Sequence, residues 1–334
     1  MSLIQSSALS ACVCPGCRGR VEDRDEGPRC EGCDRVYPAV AGLIDWRQNP
    51  DRYLSLEAER AKAERLASLA PSTDLMGLAS AYYAMTEDVV DRRRDRFLSH
   101  IAGAEVRGAA LAAGLPSSGK VLEVGCGTGG FLVAASRLGR EVVGVDIASR
   151  WLVVARRRLD DHGIEVPLVL AEAERLPWPD RTFDLVVADS LIEHLDRPDL
   201  ALFEWARVLR PGGSLLLWSP NRRTMGVDPH LGVWGVGWLP RSWVSPYLRL
   251  RGRSEWPPHT LSPQEARQLA RRAGFTRVET SVPAIDDDWA ASRPPRERRL
   301  IAAYRRLHAS VAGRRLLTAF GPLWELRAQA GLAR

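Results

Sequence analysis

Short apolar runs alternate with longer segments of helical periodicity through the middle of this chain. Apolar residues dominate 121–124, 142–145 and 166–170, and a helical pattern begins at Phe131. Apolar runs of this length are typical of buried strands, and helices between them connect parallel strands. Four further strand-like runs continue the series, at 185–189, 214–218, 276–282 and 322–329. The pattern predicts an α/β fold.

The segments outside this series have a different character. Residues 54–69 read as an Arg- and Glu-rich helix, and residues 74–113 predict further helices over the sheet. Ser262 and Glu265 have the spacing of a capping box, which predicts a helix that ends near Arg272. Residues 286–313 are basic and predicted to be mostly helical.

Residues 221–259 form an unusually long connection that is rich in Gly, Pro and aromatic residues. A connection of this length in a compact domain is more often a binding loop or lid than a linker. We therefore predict an inserted substrate cap, with a small separate hydrophobic core as the alternative. Its aromatic residues include Trp234, Trp238, Trp243, Tyr247 and Trp256.

Composition adds only modest constraints. The 334 residues carry a net charge of +6, and 45% of them are hydrophobic, as in ordinary globular proteins. The basic balance permits an anionic partner without requiring one. Arg156–Arg158 lies on a helical pattern, which predicts a solvated helix face.

Two features of the sequence bear on location. No segment approaches the roughly 18 apolar residues of a membrane span. Residues 9–12 resemble a lipoprotein cleavage box, but no Lys or Arg precedes them and the preceding stretch is short. We therefore expect a cytoplasmic protein.

Two Cys-x-x-Cys motifs lie near the start of the chain, Cys14 with Cys17 and Cys30 with Cys33. Four thiolates at this spacing suit tetrahedral Zn²⁺, and with no open coordination position such an ion is structural. A disulfide pair and a ribbon that has lost its metal are the alternatives. We predict a zinc ribbon over residues 1–47.

A glycine-rich turn follows the first predicted strand. Gly125, Gly127 and Gly129 would let the backbone approach a ligand closely, ahead of a helix N-terminus that favours anionic groups. The second strand ends at Asp146, where a carboxylate would accept ribose hydroxyls. Dinucleotide-binding proteins share both features, so these residues alone predict a nucleotide cofactor without identifying it.

The motifs that follow are more specific. After the glycine loop come Ala-Glu-Ala-Glu-Arg-Leu-Pro-Trp at 171–178, Glu-His at 193–194 and Leu-Arg-Pro-Gly-Gly at 209–213. In this order they resemble the class I S-adenosylmethionine (SAM) methyltransferases, in particular the ubiquinone/menaquinone-biosynthesis-type branch. The resemblance covers about residues 120–220, with Glu172 where Asp is usual and Trp178 where Phe is usual.

The resemblance implies a Rossmann-like seven-stranded sheet with an antiparallel terminal strand. Residues 48–115 would be a helical segment covering the SAM site, and residues 116–334 the methyltransferase domain, with the cap inserted at 221–259. An N-terminal zinc ribbon ahead of such a domain also resembles the arrangement of a bacterial ribosomal-RNA guanine methyltransferase.

The resemblance also implies a set of cofactor contacts. Glu123 would approach the methionine amino group, and Gly125, Gly127 and Gly129 would shape the loop under the methionyl and ribose moieties. Asp146 would bind the ribose, while Asp189 would lie near the methionyl group and the methyl acceptor. The adenine contacts would come from Ile147, Glu172 and Ala173. The alternative for each acidic residue is a helix cap or turn.

The alternative functions differ in which molecule, if any, accepts the methyl group. Histidine suits proton removal at neutral pH, and the candidates for a general base are His194, His230 and His259. A small-molecule acceptor, such as a sugar, lipid, quinone or secondary metabolite, is the favoured prediction because of the tryptophan-rich cap. An RNA base methyltransferase and a SAM-binding interaction protein without catalysis are the two alternatives.

Overall fold

The computed structural model describes residues 12–86, 91–116, 118–228, 231–252, 259–285, 287–291 and 295–331. The strands of this part of the chain are β1 Val21–Glu22, β2 Arg29–Cys30, β3 Ala39–Val40, β4 Leu43–Ile44, β5 Lys120–Val124, β6 Glu141–Asp146, β7 Leu168–Leu170, β8 Phe183–Asp189, β9 Leu209–Pro220, β10 Phe275–Ser281 and β11 Leu323–Ala330. Strands β5 to β11 form one seven-stranded sheet in the order β10-β11-β9-β8-β5-β6-β7.

The direction of the strands confirms the predicted fold class. β5 pairs parallel with β6, and β6 pairs parallel with β7. β11 is antiparallel to both β9 and β10. The protein is therefore an α/β protein with a mixed, Rossmann-like sheet in which the terminal strand runs against its neighbours.

The same part of the chain also forms α-helices. They are α1 Leu56–Leu69, α2 Leu75–Ala84, α3 Asp91–Ala102, α4 Ala104–Ala113, α5 Gly130–Arg137, α6 Ser149–Asp161, α7 Pro198–Val208, α8 Arg241–Leu250, α9 Pro263–Arg272, α10 Asp287–Ala291, α11 Pro295–His308 and α12 Val311–Phe320. The capping box predicted for α9 is present, with Ser262 and Glu265 bonded reciprocally. No helix of the described residues is long and apolar enough to cross a membrane.

The chain divides into two compact units within β8, one ending at Leu185 and the other starting at Val186. In the first unit, β5 and the following helix bury almost every side chain. α4 and α5 cross closely because glycines face each other: a Cβ on Gly108 would lie 2.6 Å from the carbonyl carbon of Gly130. This crossing holds α5 behind the glycine loop.

Two sequence expectations need correction. Arg158 does not lie on a solvated face: it is buried and donates hydrogen bonds to the carbonyls of Thr128 and Ile101, both at 2.7 Å. A guanidinium has five donors, so one arginine can satisfy several carbonyls inside the fold. β9 begins at Leu209 and not at Ser214. Leu209 is already extended, and Arg210 precedes Pro211, a position that disfavours helix.

Candidate cofactor site and cysteine cluster

The glycine loop takes the conformation that its composition predicts. Gly125, Gly127 and Gly129 all have positive φ, at 75°, 49° and 77°. Side chains are strained in this region, so glycine is required for the chain to turn from β5 into α5. The amides of Gly125 and Cys126 donate to the carbonyl of Val145, at 2.8 and 3.0 Å. The loop is thereby fixed to the end of β6.

Asp146 organises the base of this loop. Its Oδ2 accepts a hydrogen bond from the Gly127 amide and its Oδ1 accepts one from the Ala148 amide, both at 2.8 Å. Burial raises the pKa of this carboxyl to about 6, although the two amide hydrogen bonds act in the opposite direction. A carboxylate has about four acceptor positions, so these two bonds leave capacity for hydroxyl donors. The turn role and the ligand role predicted for Asp146 are therefore compatible.

Two buried side chains, Glu123 and Cys126, belong to β5 and the glycine loop. Glu123 is only 5% exposed and lies in register with Gly144 on β6. Cys126 packs against this same glycine, since a Cβ there would lie 3.0 Å from its Sγ. Burial raises the pKa of the Cys126 thiol well above its usual value. A buried, protonated thiol fits the packing role that is common for free cysteine.

The predicted adenine end of the site contacts a segment that sequence reasoning missed. We call residues 45–51 the linker segment. The buried Glu172 accepts hydrogen bonds through Oε1 from the amides of Gln48 and Asn49, both at 2.6 Å, and through Oε2 from Asn49 Nδ2 at 3.2 Å. Arg47 Nη1 donates to the Ile147 carbonyl at 2.9 Å. Two of these four donors are main-chain amides, which leave no signature in the sequence.

Buried ion pairs anchor the linker segment. Arg47 forms a bidentate salt bridge with Asp45, with Nε–Oδ1 and Nη2–Oδ2 distances of 2.7 and 2.8 Å. Further along, Asp51 Oδ2 accepts from both terminal nitrogens of Arg150 at 3.1 Å. Arg150 also pairs with the fully buried Glu59 of α1. Such paired, hydrogen-bonded charges are tolerated inside proteins because each compensates the other.

The four ribbon cysteines come together. Their sulfur atoms all lie within 4.8 Å of one another, with 3.6 Å between Cys14 and Cys33 and 3.3 Å between Cys17 and Cys30. A tetrahedral zinc thiolate site has sulfurs about 3.8 Å apart, given Zn–S bonds of about 2.3 Å. The Cys17 amide donates to Cys14 Sγ at 3.4 Å, and the Gly32 amide donates to Cys30 Sγ at 3.3 Å. This donor set fits a structural Zn²⁺.

The described residues of the second unit include Asp189 and two of the three candidate histidines. Asp189 ends β8 and accepts a hydrogen bond from Ser190 Oγ at 3.0 Å. His194 is half-buried in a short turn, Ile192–His194. The His259 amide donates to the Glu193 carbonyl at 2.7 Å, which places His259 against that turn. His230 lies outside the described residues.

The described part of residues 221–259, the segment predicted to be a cap, contains a small cluster of buried aliphatic residues. Leu231, Val233, Val236 and Leu248 pack together and are buried. The three tryptophans of this segment that the structure describes are exposed and lie outside that cluster: Trp234, Trp238 and Trp243, at 60%, 48% and 66%. Trp256 lies outside the described residues. Trp234 and Trp243 therefore expose most of their side chains, whereas Trp238 stacks on Phe320 and Tyr247 packs against the aliphatic cluster.

A glycine turn fixed by the acid at the end of β6, in a sheet with an antiparallel terminal strand, is the arrangement of class I methyltransferase domains. Comparison with known proteins agrees. The methyltransferase domain family matches residues 122–217. The ubiquinone/menaquinone biosynthesis C-methyltransferase of Burkholderia mallei (strain SAVP1) is 34% identical over 189 residues, covering 51% of this chain and 68% of that protein. The chain belongs to the SAM-dependent methyltransferases of the ubiquinone/menaquinone-biosynthesis type.

Other relatives match over shorter stretches. The corresponding enzyme of Laribacter hongkongensis (strain HLHK9) is 41% identical over 117 residues, which is 32% of this chain and 48% of that protein. The chain thus spans about half the length of this curated relative. Among solved structures, a SAM-dependent methyltransferase from Thermotoga maritima, titled a possible histamine N-methyltransferase, has 21% identity and a TM-score of 0.45. That match covers 72% of this chain and 95% of that one.

Proposed function

We propose that this chain transfers the methyl group of SAM to a small-molecule acceptor. The observation that carries the proposal is the glycine loop held by Asp146, with acceptor capacity remaining on the carboxylate. SAM supplies a methyl group on a sulfonium, which an aligned nucleophile attacks. In this proposal Glu123 faces the amino group and Asp146 the ribose, while Ile147, Glu172 and Ala173 surround the adenine and Asp189 lies toward the acceptor.

His259 is our choice for the general base among the three histidines. Its Nδ1 lies 3.2 Å from the Leu195 carbonyl oxygen, which can only accept a hydrogen bond. Nδ1 therefore carries a proton, and in the neutral ring Nε2 presents the lone pair. The main-chain bond to Glu193 and this side-chain bond together fix the ring. A neutral imidazole oriented in this way accepts a proton from an attacking hydroxyl or amine.

The cysteine cluster is proposed to hold one structural Zn²⁺ through Cys14, Cys17, Cys30 and Cys33. Four thiolates complete the coordination shell, so the ion would stabilise the ribbon and take no part in methyl transfer. A thiolate site of this kind is maintained in a reducing compartment, and a cytoplasmic location is part of the proposal.

The choice of a small acceptor is supported by the exposed tryptophans of the cap, since aromatic faces line many ligand sites. The relatives from Burkholderia and Laribacter are named for ubiquinone and menaquinone biosynthesis, which makes a quinone precursor one member of the proposed class.

The test incubates purified protein and methyl-labelled SAM with an extract from a strain that lacks the gene. We expect the label in a solvent-extractable product. Label in nuclease-sensitive polymer would replace this proposal with the RNA methyltransferase alternative. SAM binding with no labelled product from any fraction would support the non-catalytic interaction protein.

A further inference from the structure

We propose that the linker segment, residues 45–51, is part of the cofactor site and couples metal binding in the cysteine cluster to SAM affinity. The ribbon would then act as a positioning element for the adenine end of the cofactor. This inference rests on the proposed function, because it requires SAM to bind beside Glu172.

The first link runs from the cysteines to the linker segment. The Tyr37 hydroxyl lies 2.9 Å from Cys14 Sγ, and the Tyr37 ring packs on Trp46 with ring centroids 4.6 Å apart. The Gln48 side chain packs on the first Cys-x-x-Cys turn, where a Cβ on Gly16 would lie 2.8 Å from its Nε2. A metal that orders this turn therefore orders the residues on both sides of Arg47.

The second link runs from the linker segment to the sheet. Asp45 forms a parallel bridge with Leu170 at the end of β7, and the Trp46 amide donates to the carbonyl of Leu170 at 3.0 Å. The linker segment thus extends the sheet edge at the point where the adenine contacts are predicted. Arg47 reaches from there to the carbonyl of Ile147, the residue expected to pack on adenine.

The third link is Glu172 itself. Its carboxylate is 5% exposed and takes three short or moderate hydrogen bonds from residues 48 and 49. A buried carboxylate that loses such donors must find others or move toward water. Loss of the ribbon structure would therefore remove the donors that hold the Glu172 carboxylate in place. We infer that Glu172 positions the adenine end only while the linker segment holds it.

The experiment measures S-adenosylhomocysteine binding by calorimetry in the zinc-loaded protein and in the C17S/C33S variant, which removes two exposed ligands. Zinc content is measured in parallel. We expect the variant to bind on the order of tenfold more weakly, within the range typical of coupled sites. Coupling is reciprocal, so S-adenosylhomocysteine should strengthen zinc retention against a chromophoric chelator by the same factor.

The Glu172→Ala variant tests whether the coupling between zinc and cofactor binding passes through the Glu172 carboxylate. In this background the zinc-loaded and zinc-free proteins should bind S-adenosylhomocysteine equally weakly, because the connecting carboxylate is gone. Asn49→Ala, which removes only the side-chain donor, should weaken binding by a few fold with zinc content unchanged. The matched control is Glu141→Gln, which removes an exposed carboxylate from β6 and should retain the full metal dependence. Far-UV circular dichroism verifies that each variant is folded.

The outcomes separate this inference from the proposed function. If the zinc-loaded wild type does not bind S-adenosylhomocysteine, the proposed function fails and the inference fails with it. If the wild type binds but a folded C17S/C33S variant binds within twofold of it, the inference is overturned and the proposed function stands. Metal dependence that persists in Glu172→Ala would also overturn the inference.

Discussion

Lowering the pH from 7.5 to 5 is expected to weaken the binding of S-adenosylhomocysteine through Asp146. Burial raises the pKa of this carboxyl to about 6 in the free protein. Ribose hydroxyls donate to the ionised form, so binding favours loss of the proton and lowers the pKa from this raised value. The free protein must then release a proton to bind at acidic pH, and affinity falls as the pH decreases through about 6.

The magnitude follows from the ionised fraction. With a pKa of about 6, the carboxyl is almost fully ionised at pH 7.5 and about one tenth ionised at pH 5. The dissociation constant should therefore rise by about tenfold across this interval. Free-protein stability should change in the opposite direction. Because the folded-state pKa is about 6 and the ordinary value is 3.8, ionisation destabilises the fold most above about pH 6; this cost decreases as the pH falls below 6 and is gone only below 3.8.

The assay is calorimetric titration with S-adenosylhomocysteine at half-unit pH steps. Asp146→Asn cannot ionise and is expected to bind on the order of tenfold to a hundredfold more weakly at pH 7.5. Its remaining pH dependence reports the titration of the ligand and of all other groups. Glu141→Gln, on the same strand, should follow the wild-type curve.

Two results would refute this reasoning. A wild-type dissociation constant that is flat between pH 5 and 7.5 would show that Asp146 does not titrate in this range. Equal slopes for the wild type and a folded Asp146→Asn variant would show that the pH dependence has another origin.

Three further expectations concern packing, buried charge and catalysis. Gly130→Ala places a Cβ 2.5 Å from the main chain of α4 and should lower the free energy of unfolding by about 1–3 kcal/mol, measured by urea titration. An unchanged urea midpoint would contradict the close crossing of α4 and α5. Arg150→Met leaves two buried carboxylates without their cation and should cost about 3–5 kcal/mol by the same measurement, whereas a loss below about 1 kcal/mol would argue against the buried cluster. His259→Gln should reduce kcat by about 10²- to 10⁴-fold with S-adenosylhomocysteine affinity within twofold of wild type. If His194→Gln alone caused that loss, the base would be His194.

The sequence predicted those features that depend on a residue type at a fixed spacing. The two Cys-x-x-Cys motifs and the alternating apolar runs belong to this group. So does the glycine turn, because only glycine takes the backbone angles of Gly125, Gly127 and Gly129 without strain. These constraints are local, and a single sequence displays them directly.

The contacts that were missed depend on position in the folded chain. Gln48 and Asn49 reach Glu172 across more than a hundred residues, and two of the three short bonds come from main-chain amides. Arg158 looks like part of a surface run, yet the fold surrounds it with carbonyl acceptors. Nothing in residue type distinguishes such groups from exposed ones, so the pattern placed Arg158 on a solvated face and gave no signal for the contacts of Gln48 and Asn49.

Because main-chain amides of residues 48 and 49 donate to Glu172, sequence divergence at these two positions need not break the contact. Any residue except proline supplies an amide at positions 48 and 49, so the side chains there can be exchanged while the attachment to Glu172 is kept. The side chains of Gln48 and Asn49 add packing on Gly16 and a further hydrogen bond to Glu172, so exchanging them would weaken the attachment without removing it. Related chains can therefore share this docking without sharing a linker sequence, and proline at either position would mark chains that have lost it.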